Sequence, residues 1–116
     1  MEVKTKPAPA WERKETQIWL LSIGGQPHRQ GFLYLAWAID LVATLPDTRR
    51  GLTKQVYGAI AAAEQCTVAA VDSAIRRQIQ CIWETNRKAL EDLLCSQLQK
   101  PPTPGQVIYG AALQII

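Results

Sequence analysis

Apolar residues recur along this chain at three- and four-residue steps rather than in alternation, and that spacing predicts helices throughout. The most organised stretch is 65–83, QCTVAAVDSAIRRQIQCIW, which reads as a turn followed by one amphipathic helix. Val68, Val71, Ile75, Ile79 and Ile82 share one face. Ala69, Ser73, Arg76 and Gln80 share a second face, with Arg77 beside it, and Thr67 is placed to cap the helix start. The stretch FLYLAWAIDLVATL, 32–45, is apolar almost all round, interrupted clearly only by Asp40 and Thr44, and so predicts a central buried helix.

The remaining elements follow from punctuation. Residues 1–10, with Pro7 and Pro9, read as a flexible tail, leaving 11–116 as a single helical domain. A first helix runs from Trp11 or Glu12 to Ile23, with Ile18, Leu21 and Leu20 facing the core, and Gly24-Gly25 stops it. A loop covers 24–31, and 48–51 forms a basic loop after Pro46. Thr53 can cap the next segment, and Gly58 marks a break between a short helix ending near Tyr57 and another at 59–65. A further helix fits 86–99, with Leu90, Leu93, Leu94 and Leu98 inward, ended by Lys100-Pro101-Pro102. Thr103, Pro104 and Gln106 make a capping box for an uncharged last helix. No strand signal is strong enough for a sheet. The expected fold is all-α, a compact bundle of about six helices.

Composition narrows the function. With 116 residues and 47% hydrophobic content the chain can bury one core. No run of about 18 apolar residues is present, so no membrane span is expected. The N-terminus has no secretory signal pattern, which points to the cytoplasm. Cys66, Cys81 and Cys95 form no CxxC pair and His28 is the sole histidine, so free thiols are expected, with no metal and no cofactor. A Cys–His catalytic pair has no supporting signature, and no clustered acid–base set or phosphate loop suggests an enzyme or a small-molecule substrate. The net charge of +3 permits an anionic partner without requiring one.

The short helix at 59–65, the turn at Gln65-Cys66-Thr67 and the longer helix behind it have the layout of a helix-turn-helix, whose second helix enters the major groove of double-stranded DNA. Small residues at Ala69, Ala70 and Ser73 allow close approach, and Arg76 can donate two hydrogen bonds to guanine. Candidate base contacts are Asp72, Ser73, Arg76, Arg77 and Gln80. Candidate phosphate contacts are Thr67, Arg49, Arg50, Lys54, Arg87 and Lys88. A bundle helix with a solvated Arg-Arg face has the same pattern. Trp37 also has two readings, as core or as an exposed interface residue, and Tyr109 on the last helix is a second interface candidate. His28 reads as a structural tie for its loop, with phosphate contact as the alternative.

The segment LSIGGQPHRQGFLYLAWAIDLV resembles the opening of the C-terminal DNA-binding domain of the stage-zero sporulation response regulator, a family that reads approximately LHxIGxPAHxxGYxYLxxAI. Ile23, Gly24, His28, Gly31, Tyr34, Leu35, Ala38 and Ile39 match in register. LTKQVYGAIA is similar to the family's ITKxLYPxIA, and TVAAVDSAIRRQIQCIW to its TxxxVERAIRxAIExAW. The tail KPPTPGQVIYGAA is similar to KPTNSEFIAxxA. The resemblance covers roughly 16–113 and implies a six-helix domain whose fourth and fifth helices form a helix-turn-helix, binding DNA as tandem dimers to control sporulation genes. This chain departs from the family at Ala36, Trp37, Gly58, Asp72 and Ser73, where an expected arginine is a serine, and in its uncharged last helix. Only a short tail stands where a receiver domain is expected. A protein-interaction module that modulates another regulator, using Trp37 and the last helix, is the rival reading.

Overall fold

A computed structural model describes residues 14–44 and 52–115, apart from the side chains of 52–54 and 115. The expected tail at 1–10, the helix start at Trp11 or Glu12, and the basic loop at 48–51 with Arg49 and Arg50 lie outside the described residues, as do the side chains of Thr53 and Lys54. Five helices follow in order, with no strand among the described residues. They are α1 (Lys14–Ser22), α2 (Gln30–Thr44), α3 (Gly58–Glu64), α4 (Val68–Leu94) and α5 (Pro104–Ile115), and a π-helical turn, Leu52–Tyr57, leads directly into α3.

The apolar helix α2 is central, as its pattern predicts. Phe32 and Tyr34 to Ile39 are buried along it, and it packs on α1, α4 and α5. Trp37 is 7% exposed and belongs to the core, so its reading as an exposed interface residue is corrected. One buried polar contact crosses to α1, where the Thr16 hydroxyl donates to the Asp40 carboxylate. That contact selects the face of α1 that turns inward: Thr16, Leu20 and Ile23 are buried, whereas Ile18 and Leu21, expected in the core, are 62% and 49% exposed. Both faces have helical spacing, and a buried partner for the Thr16 hydroxyl decides between them.

The helix count differs from the expected six or so because the segments 68–83 and 86–99 join. α4 continues through the expected gap and bends at Asn86, whose φ of −153° and ψ of 58° leave the helical region. The Asn86 side-chain amide donates to the Ile23 carbonyl at 3.2 Å, so the bend ties α4 to the end of α1. α4 then stops at Leu94 rather than near 99. Cys95 adopts the left-handed conformation, φ 53°, and the Ser96 amide closes back on the Glu91 carbonyl at 3.0 Å. The capping box of α5 is present, with the Gln106 amide donating to Thr103 Oγ1 at 3.2 Å and the Thr103 amide donating to Gln106 Oε1 at 2.9 Å.

Two contacts set α2 against α4. At Gly31 an added Cβ would lie 2.1 Å from the Ala74 carbonyl oxygen, so only glycine permits this approach. Next to it, fully buried Gln78 clasps the backbone of Gln26, accepting from its amide at 2.6 Å and donating to its carbonyl at 3.4 Å. The loop before α2 is thereby held on the side of α4.

Candidate nucleic-acid interface

The turn between α3 and α4 is built by local chemistry. Gln65 ends α3 in the left-handed region, φ 57°, and the Cys66 amide donates to the Ala61 carbonyl at 3.0 Å. Thr67 is extended, and its hydroxyl oxygen accepts from the Ala70 amide at 3.0 Å, the N-cap its sequence position predicts. Tyr34 of α2 supports the turn from below. Burial, then the nearby Cys66 and Glu64, push its phenol above the ordinary value.

Beyond the cap, α4 divides as its periodicity requires. Val71, Ala74, Ile75, Gln78, Ile79 and Ile82 are buried, and Ala69, Ala70, Ser73, Arg76, Arg77 and Gln80 are exposed. On the exposed side, Arg76 Nε donates to Asp72 Oδ2 at 2.8 Å, and this bond with the carboxylate's charge raises the Arg76 pKa. Gln80 donates to Glu84 at 2.9 Å. Beneath the Asp72–Arg76 pair, Tyr57 is 2% exposed and its hydroxyl has no hydrogen-bond partner among the described residues. Burial, and secondarily the Asp72 charge, push its pKa up, while Arg76 opposes the shift.

Other parts of the chain flank this face on both sides. A groove of about 380 Å³ is lined by Arg76, Ile79 and Gln80 of α4 and by Lys100, Pro101, Pro102 and Thr103 of the segment before α5. A smaller one of about 200 Å³ is lined by Arg29, Gln30, Gly31, Ala74 and Arg77. Lys100 and Arg29 were both missed by sequence reasoning. Lys100 lies twenty positions beyond Gln80 and reads only as a helix terminator, and Arg29 reads only as part of a loop. Gln78, which holds that loop, carries the same spacing signal as its apolar neighbours and no other.

The remaining predicted residues are distributed differently. Arg87 stacks 4.6 Å over the Trp83 ring, pairs with Glu91 at 3.3 Å and donates to the Leu98 carbonyl, so it braces the segment after α4. Lys88 is exposed and 3.4 Å from Asp92. His28 is exposed and makes no hydrogen bond to the described residues; Gln78 performs the tie expected of it. Tyr109 is half-buried on α5. The three cysteines are free, with Cys66 and Cys95 exposed. Among the described residues no group of His, Cys, Asp and Glu could hold a metal ion, and no helix is long and apolar enough to cross a membrane.

In comparison with known proteins, the family described as "Sporulation initiation factor Spo0A C terminal" matches residues 16–115, nearly the whole chain.

Proposed function

This chain belongs to the Spo0A C-terminal family, a family of DNA-binding effector domains in sporulation and transcription regulation, and on that premise we propose that it is a sequence-specific regulator that lays α4 in the major groove of duplex DNA. In this reading α3 and α4 act as a helix-turn-helix. α3 braces, and the N-terminal half of α4 reads bases through Arg76, with Ser73, Asp72 and Gln80 assisting. The observation that carries the reading is the exposed stripe Ala69, Ser73, Arg76, Gln80, which starts with small residues at the capped end of the helix and has a cation at its middle.

Magnitudes favour Arg76 as a reader despite its ion pair. An exposed i,i+4 pair is worth roughly 0.3–0.5 kcal/mol, whereas a bidentate arginine–guanine contact discriminates by about 1–3 kcal/mol. Leaving Asp72 therefore costs less than the contact returns. Thr67 with the start of α4, Lys88, Arg49, Arg50 and Lys54 would meet phosphates, and Lys100 joins them from across the larger groove. Arg87, already engaged with Glu91 and Leu98, would contribute through its exposed edge only. The site of action is the bacterial cytoplasm, where the chromosome lies, and tandem dimers on DNA are the expected arrangement.

Selection of bound fragments from random duplex DNA, followed by salt-titrated binding of the winner, tests this. The expected result is one enriched sequence bound more tightly than random duplex, with affinity falling as salt rises. Binding no tighter than millimolar to every duplex at low salt would overturn it. The competing reading, an interaction module on the same fold, draws on α5, which has no charged side chain and leaves Leu113 79% exposed.

A further inference from the structure

Adjacent arginines on α4 face different surroundings. Successive residues of an α-helix are about 100° apart around its axis. Arg76 stays within the stripe of Ala69, Ser73 and Gln80, and Arg77 turns out of it toward the loop before α2. There it lines the 200 Å³ pocket with Arg29, Gln30, Gly31 and Ala74. No acidic residue lines that pocket. Arg29 and Arg77 are both exposed, and neither has an ion-pair partner among the described residues.

We infer that Arg29 and Arg77 form a two-guanidinium clamp for one DNA backbone phosphate, so that Arg77 positions the duplex and Arg76 reads it. The inference rests on the DNA-binding reading above. Two guanidinium groups in one pocket repel each other unless an anion stands between them, and a phosphate offers oxygens enough to accept from both forks. The pocket is built before any ligand arrives. The close approach at Gly31 sets the start of α2 against α4, and the clasp of Gln78 on Gln26, at 2.6 Å, fixes the loop that carries Arg29. An α-helix with its side chains is about 10–12 Å across, close to the roughly 12 Å width of the major groove. A residue turned off the reading stripe therefore meets the wall of the groove, which is sugar and phosphate.

The test uses the full chain and the duplex that binds best in the selection, with Arg29→Ala, Arg77→Ala and the double variant. Both side chains are exposed, so helical circular dichroism is expected to match the unaltered protein. Each phosphate neutralised contributes about 0.9 to the slope of log affinity against log salt. Each single variant is expected to lower the slope by less than about 0.9, because the remaining guanidinium still neutralises the shared phosphate, and the double variant is expected to lower it by about 0.9 in all. Arg77→Ala should also weaken all duplexes by the same factor, leaving the ranking of base-substituted sites unchanged. A double variant whose slope falls by about 1.8, as for two separate phosphates, or does not fall at all, or an altered base preference for Arg77→Ala, would each overturn the clamp while leaving the DNA-binding reading standing. If the unaltered protein selects no duplex, that reading fails and the clamp fails with it.

Discussion

At the scale of single residues, the pair Asp72–Arg76 is where the proposed recognition can be tested apart from stability. The carboxylate holds the guanidinium at 2.8 Å on the surface of α4, and in the proposed reading this bond is exchanged for one to a base. Arg76→Ala is expected to cost about 1–3 kcal/mol on the preferred duplex and to flatten the preference at one base position. Asp72→Asn removes only the ion pair and should change affinity by no more than roughly 0.5 kcal/mol unless Asp72 itself accepts from a cytosine. Fluorescence anisotropy on a panel of single-base duplex variants separates these results. An Arg76→Ala variant with the full preference intact would remove Arg76 as the reader. The Thr67 cap was legible in the sequence because it depends on an amide three positions away, and Arg76 was placed on the exposed face by the same short-range spacing. The place of Arg29 was not legible, because only packing brings it to the pocket that Arg77 lines.

At the scale of elements, α4 does most of the organising, and its contacts show what each end contributes. Toward its start it accepts α2 at Gly31, where an added Cβ would meet the Ala74 carbonyl at 2.1 Å. Gly31→Ala should destabilise the fold by about 1–3 kcal/mol, the usual range for overpacking, as a lower urea midpoint at unchanged slope. An unchanged midpoint would mean the two helices part freely. Toward its end, Glu91 accepts from the Leu98 amide at 2.9 Å and pairs with Arg87. The Leu98 hydrogen bond first, with Arg87 and Lys88, holds its carboxyl below the ordinary range. A depressed folded-state pKa gives stability that is present above the unfolded value of about 4.3 and is lost as pH falls through the folded value. Glu91→Gln should therefore be less stable than the unaltered protein at neutral pH, and the gap should close in acid. A gap that persists unchanged below pH 3 or so would assign the loss to something other than this ionisation.

At the scale of the whole molecule, a net charge of +3 supplies little long-range attraction for the proposed DNA partner. What matters is where the cations stand. Arg76 and Lys100 line one groove beside α4, and Arg29 and Arg77 line the other. α5 adds a different property, an uncharged helix with Leu113 exposed at its end. If that helix joins two copies on DNA, Leu113→Glu should abolish cooperative binding to a tandem site and leave binding to a single site intact, as read by sedimentation and by gel shift. Equal binding curves on tandem and single sites for the unaltered protein would remove α5 from the dimer proposal.

The sequence by itself determined the all-helical class, the N-caps at Thr67 and Thr103, and the division of the first part of α4 into a buried and an exposed face. Those features rest on spacings within a few residues and on threonine hydroxyls beside free amides. It also carried the family register through Gly31, Tyr34 and Arg76. Tertiary structure alone decided which of two plausible faces of α1 is buried, because the choice depends on Asp40, twenty-four positions from Thr16. It decided that 68–94 is one bent helix, because Asn86 donates its hydrogen bond to the Ile23 carbonyl just past the end of α1. It also placed Lys100 and Arg29 on either side of α4, because a surface formed by residues distant in sequence exists only after the core has closed.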